Sequence, residues 1–217
     1  MTDKVKTLIQ NLERNNFNAL YFEDSKSAVE YLKTNLKKGA TVTSGGSMTL
    51  AGSGITALIS GGEYNFLNRA NMGNSEEEFF EFYKNTLGCD YYFCSANAVT
   101  EKGEIVNVDG LGNRISASAF GPKQVFIIMG TNKIVKDTTA AFLRVKTVAA
   151  PKNAVRLSCD TPCAKIGKCV SLLKSDNPGI TDGCDSPHRI CRDYLVMGKQ
   201  NDTKRITVII IDEELGY

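Results

Sequence analysis

Short apolar runs that alternate with amphipathic segments constrain this chain more than any other feature. Ala19 to Phe22, Ala40 to Thr43, Asp90 to Cys94, Gln124 to Met129 and Ile206 to Ile211 all have strand length. The longer of these are almost continuously apolar, as strands covered on both faces are. Helical spacing fills the gaps between them. Val5, Leu8, Ile9 and Leu12 share one stripe. Ser27 with Glu30 reads as a capping box opening a helix with Val29, Leu32 and Leu36 inward, closed by Gly39. Ser75 with Glu78 repeats the signal before Phe79, Phe82 and Tyr83. Thr138, Ala141, Phe142, Val145, Val148 and Ala149 predict a helix that Pro151 stops. The alternation predicts an α/β fold: an open, mainly parallel sheet with helices on both faces. With 42% apolar residues, no internal repeat and no long linker, residues 1–217 read as a single domain.

The charge balance excludes some functions. Lys and Arg number 26 against 24 acids, and the basic residues are scattered, so no nucleic-acid surface is expected. The longest apolar stretches, such as Val208 to Ile211, are too short to span a bilayer. Met1 to Lys6 leads into an amphipathic pattern without an apolar signal region, so the expected location is the cytoplasm, away from membranes.

Two polar stretches are candidates for ligand binding. Thr43-Ser44-Gly45-Gly46-Ser47-Met48-Thr49-Leu50 follows a strand and precedes a helical pattern. Glycines there let backbone approach an oxyanion, and Ser44, Ser47 and Thr49 add hydroxyl donors; a carboxylate or phosphate suits such a loop. A tight strand-to-helix turn is the plainer alternative, since neither a P-loop nor a dinucleotide fingerprint is present. Ser95 to Thr100 lies past the next buried strand, where α/β sheets place ligands. Glu104 to Val108 and Arg114 to Ser118 then read as a hairpin around Asp109-Gly110-Leu111-Gly112-Asn113. In a functional reading Glu104 or Asp109 is a base and Arg114 clamps a carboxylate. Asn97, Asn107, Gly110 and Asn113 complete that cleft. In the plain reading they are turn residues and a solvated strand end.

Residues 158–192 break the regular pattern and carry five of the seven cysteines: Cys159, Cys163, Cys169, Cys184 and Cys191. A cluster of this kind without a secretion signal points to metal or redox chemistry. Four thiolates suit a [4Fe–4S] cluster or a tetrahedral zinc, leaving one spare; free thiols or disulfides are the alternatives. Cys89 and Cys94, in or beside a strand, read as core. His188, the only histidine, reads as a surface or structural residue.

Several motifs together resemble the LUD (lactate utilisation) domain family. They are Gly45-Gly46-Ser47, Asn97-Ala98-Val99-Thr100, Glu104-Ile105-Val106-Asn107-Val108-Asp109-Gly110-Leu111-Gly112-Asn113-Arg114, Ala119-Phe120-Gly121-Pro122 and Pro187-His188-Arg189-Ile190-Cys191. The resemblance runs across almost the whole chain. It implies a fold akin to ribose-phosphate isomerases and CoA transferases, with the cleft at the strand ends. It also implies a link to lactate oxidation beside separate iron–sulfur subunits. The cysteine spacing departs from the family variant it is most similar to: cysteines matching Cys169 and Cys184 stand two residues apart there, whereas Val170 to Gly183 intervenes here. Three functions follow as expectations. The first is a hydroxy-acid-utilisation component that binds a small carboxylate and has a redox centre. The second is a non-catalytic assembly subunit with a zinc staple. The third is a transferase or isomerase of a CoA-linked or phosphorylated substrate. Self-association stays open.

Overall fold

The computed structural model describes residues 1–217. Its ten strands are β1 (Asn18–Phe22), β2 (Thr41–Ser44), β3 (Asn65–Phe66), β4 (Tyr91–Ser95), β5 (Ala98–Thr100), β6 (Ile105–Asp109), β7 (Gln124–Gly130), β8 (Ile134–Val135), β9 (Asp193–Met197) and β10 (Ile206–Ile211). Six of them form one parallel sheet in the order β1-β10-β7-β4-β2-β3. Alternate residues of the central strands serve opposite cores, as the two-residue period of a strand requires. Val125, Ile127, Met129, Val208 and Ile210 pack with Val5, Leu8 and Leu12 of helix Asp3–Arg14. Phe126, Ile128, Ile209 and Ile211 pack with Leu32, Leu50, Ile55 and Ile59 on the other face. The expected α/β architecture is therefore present, with helices on both sides of a mainly parallel sheet.

A second sheet, in the order β8-β5-β6-β9, accompanies the first and was not expected from the sequence. Its Val99, Ile105 and Met197 join the core of helix Asp3–Arg14, while Ala98 and Val106 turn the other way onto Ala141 of helix Thr138–Arg144. It is thus a layer between the main sheet and that helix.

Three local expectations need correction. The stretch Arg114 to Ser118 is no strand: Asn113–Ala119 is a helix, and β6 pairs with β5 and β9 instead. Asp109 turns the chain, its carboxylate accepting from the backbone N–H of Gly110 (2.7 Å) and Arg114 (2.8 Å). Gly112 takes φ +77°, which suits glycine, just before that helix. Pro151 does not stop the preceding helix. The π-helical turn Val145–Ala149 leads into helix Ala150–Arg156, with the Ala150 N–H donating to the Val145 carbonyl five residues back. That wider winding accommodates a residue without its own N–H. Finally, the cap of helix Ser25–Asn35 is Asp24, whose carboxylate accepts from the Ser27 N–H at 2.7 Å; Ser27 lies inside the helix. The box at Ser75 and Glu78 is present as read.

Asp24→Ala should therefore lower stability by about 1 kcal/mol, and Ser27→Ala by no more than about 0.5 kcal/mol. Chemical denaturation of both variants checks this, and equal losses would return the cap to Ser27.

Candidate functional site

Strands β10, β7, β4 and β2 are consecutive neighbours, and all are parallel. The segments that follow them must emerge at one edge of the sheet, which is where open α/β sheets bind ligands. Here they are the tail to Tyr217, the short helix Thr131–Lys133, Ala96–Asn97 and the loop Gly45–Ser47. Together with Asn107 and Val108 of β6 and Arg114, Ile115 and Ser118 of helix Asn113–Ala119, they enclose a cleft. Gly45 is required for the close approach of its neighbours: a Cβ there would lie 2.9 Å from Tyr92 Oη and 3.1 Å from Arg114 Cγ and Cδ. Gly46 meets nothing nearer than Arg156, at 3.8 Å.

At the floor of the cleft lies Lys133, only 2% exposed. Its Nζ donates to Thr49 Oγ1 (2.7 Å), Ser95 Oγ (2.9 Å) and the Ala96 carbonyl (3.1 Å). No carboxylate side chain lies within ion-pairing distance of it, and no Asp or Glu side chain lines the cleft. Burial, followed by the nearby Arg144 guanidinium, brings the Lys133 ammonium down to about 7 from its usual value near 10.5; the Cys94 thiol opposes this weakly. Arg144 is itself held by donation from Nη1 to the Asn97 carbonyl.

The remaining lining groups are rich in donors. Asn97 and Asn107 have their carbonyl oxygens committed, to Val108 N–H (2.8 Å) and Asn97 N–H (3.0 Å) respectively, while neither amide NH2 meets a protein acceptor. The backbone N–H groups of Gly46 and Ser47 likewise donate to nothing in the protein. The cleft thus offers cations and free donors without a side-chain anion to meet them.

The structure brings together Gly45, Gly46, Ser47, Thr49, Asn97, Asn107 and Arg114. It places the other nominated residues elsewhere. Glu104 sits at the far end of β6, where its carboxylate accepts from Thr100 Oγ1 at 2.7 Å. Asp109 is buried, and its oxygens are engaged by the Gly110, Leu111 and Arg114 backbone and by Arg114 Nε (3.2 Å) and Nη2 (3.3 Å). Asn113 Nδ2 donates to Tyr83 Oη, and Gly110 packs against Ile190. The fork of Arg114 is largely taken by Asp109 and the Val108 carbonyl, so it shapes the wall more than it clamps a ligand. Sequence reasoning missed Lys133 as a site residue, while Ser95 lay within the candidate stretch Ser95 to Thr100. The only sequence context of Lys133 was a position shortly past a buried strand, beyond Gly130-Thr131-Asn132, which does not set it apart from other lysines such as Lys136.

In a second, narrow pocket Cys163, Cys169, Cys184 and Cys191 meet Lys146, Ala150, Pro151 and Val170. Cys159 is not part of it; its N–H donates to the Ala154 carbonyl. All seven cysteines are free thiols, and no three Cys, His, Asp or Glu side chains close on a single metal position. Burial raises the Cys191 thiol above its ordinary value against the neighbouring Arg189. The Tyr194 hydroxyl, buried beside Cys191 and Cys169, has no hydrogen-bond partner. Cys89 and Cys94 are buried, their thiols raised to about 12 and about 11 by desolvation. Cys94 also touches the cleft. No helix is long and apolar enough to cross a membrane.

A solved DUF162 family protein from Deinococcus radiodurans is similar over 96% of each chain, with a TM-score of 0.50 and 11% identity. Ribose 5 phosphate isomerase A from Neisseria gonorrhoeae aligns over 82% of this chain and 76% of its own, with a TM-score of 0.37 and 12% identity. No curated protein sequence matches the chain. The LUD domain model matches residues 5–211, nearly the entire length, and the chain belongs to the LUD domain family.

Proposed function

We propose that the cleft binds a small carboxylate, within the lactate or hydroxy-acid utilisation with which LUD domain proteins are associated. One observation carries this reading: the buried Lys133 ammonium has no carboxylate partner and stands where free donors converge. Leaving a buried charge unpaired is costly, and an anionic ligand supplies the missing partner. The Gly46 and Ser47 N–H groups and the Asn97 and Asn107 amides would hold the carboxylate oxygens. Inorganic phosphate offers similar acceptors and serves as the competing probe.

Proton linkage gives this reading a sharp test. In the free protein Lys133 changes charge near pH 7, and an anion favours the charged form. Binding is then strongest below pH 7, and the dissociation constant rises by up to about tenfold per pH unit above it. Calorimetry with lactate, pyruvate and phosphate across about one unit below and two units above pH 7 checks this. Lys133→Met should abolish the pH dependence along with most of the affinity. Affinity that is flat with pH in the parent protein would remove Lys133 from the site. The stability effect runs in the opposite direction. A lysine lowered on folding is disfavoured while charged, so the parent should gain stability relative to Lys133→Met as pH rises from 7 toward 10.

A second reading concerns the cysteine pocket, which we propose as the place of an iron–sulfur cluster held by Cys163, Cys169, Cys184 and Cys191. Four thiols facing one pocket, Lys146 to offset thiolate charge and the partnerless Tyr194 hydroxyl all suit such a group. A single tetrahedral zinc on the same four thiolates is the alternative occupant. The cluster would supply electron transfer to separate redox subunits. Anaerobic purification with iron, sulfide and zinc analysis tests it. Cys→Ser at any of the four should lower the iron content, while Cys159→Ser should leave it unchanged. Stoichiometric zinc without sulfide would favour the assembly-subunit alternative, and no metal at all would leave four free thiols.

A further inference from the structure

Beyond anion binding, the bonds around Lys133 single out one hydroxyl. The Ala96 carbonyl can only accept. Thr49 Oγ1 commits its proton to the Leu215 carbonyl at 3.1 Å. When Lys133 is a neutral amine it keeps two N–H bonds, to Ala96 O and Thr49 Oγ1, and turns its lone pair toward Ser95 Oγ, 2.9 Å away. Ser95 has no comparably close acceptor for its proton, since Thr49 Oγ1 and the Ala96 carbonyl lie at 3.2 and 3.4 Å. Ser95 ends β4, lines the cleft and is only half-buried, whereas Thr49 is buried. Gly46 and Ser47 provide unpaired N–H donors on the same cleft.

We propose that Ser95 is a nucleophile, with Lys133 as its general base, for acyl transfer from a small ester or thioester to water. In the first step the Ser95 Oγ–acyl carbon bond forms and the Oγ proton passes to Lys133 Nζ. The Gly46 and Ser47 N–H groups would stabilise the tetrahedral oxyanion. As the acyl carbon–oxygen or carbon–sulfur bond breaks, Lys133 returns that proton to the leaving group. Water then adds to the acyl-serine with its proton taken by Lys133. Collapse breaks the acyl carbon–Ser95 Oγ bond, Lys133 returns that proton to Oγ and the carboxylic acid leaves, so no oxidant or reductant enters. Around Lys133, burial and then the Arg144 guanidinium favour the neutral amine while the Cys94 thiol opposes them, which places the neutral form within the neutral pH range.

The test uses the full chain with 4-nitrophenyl acetate and an organophosphate ester, with adduct mapping by mass spectrometry. The parent should hydrolyse the acetate and carry the phosphoryl adduct on Ser95, at a rate that rises with pH and levels off above about 7–8. Ser95→Ala should lose the adduct. Lys133→Arg, which stays charged, should slow labelling by about 100-fold or more with an unchanged near-UV spectrum. If Lys133→Arg fails to fold, the pH profile of the parent decides. No adduct on Ser95, labelling of Lys133→Arg at the parent's rate, or a flat pH profile would each overturn the proposal. Anion affinity measured by calorimetry on the same Ser95→Ala protein separates this failure from failure of the carboxylate reading.

Discussion

A single ammonium group ties four parts of the carboxyl edge together. Lys133 comes from the segment after β7, and its three bonds reach the helix after the glycine loop and the end of β4. Thr49 extends the connection to the C-terminal tail through Leu215. An ammonium buried without a counter-ion is tolerable only because all three of its N–H donors are satisfied. The same arrangement keeps the cleft short of negative charge. The proposed substrate class, its proton linkage and the proposed reactivity of Ser95 all rest on that one placement.

The second sheet explains why the cleft has a far wall. β6 contributes Asn107 and Val108 to the cleft lined by the glycine loop. Asp109 ends the strand and captures Arg114, which fixes the helix that completes the wall. Val108 also belongs to the small core that Cys191 and Tyr194 cover. Arg192 N–H donates to the Asp109 carbonyl at 2.9 Å, so the cysteine segment is fastened to the same strand end. Val108 thus lines the cleft and also packs in the core that Cys191 of the second pocket covers.

Much of this was legible in the sequence. The five longer strands of the main sheet are written in apolar runs, and the glycine loop with Asn97, Asn107 and Arg114 does meet in one cleft. What was hidden depended on long-range geometry. Arg114 to Ser118 alternates as a strand would, but Asp109 offers carboxylate bonds that turn the chain into a helix first. Pro151 usually ends a helix, and only the π-helical turn before it lets this one continue. The importance of Lys133 comes from its burial, which no local pattern reports: the same lysine on a surface would be unremarkable. Glu104 and Asp109 looked like bases because their type is right, yet each is already bonded within its own turn.

The protonation state of Lys133 is where these arguments meet, and it can be observed directly. Carbon-13 NMR of selectively labelled lysine, assigned by Lys133→Arg, reports the titration of this one amine. The account predicts a midpoint near 7 in the free protein that moves upward when lactate or phosphate is added. A midpoint at the ordinary lysine value of about 10.4, unchanged by either anion, would contradict it.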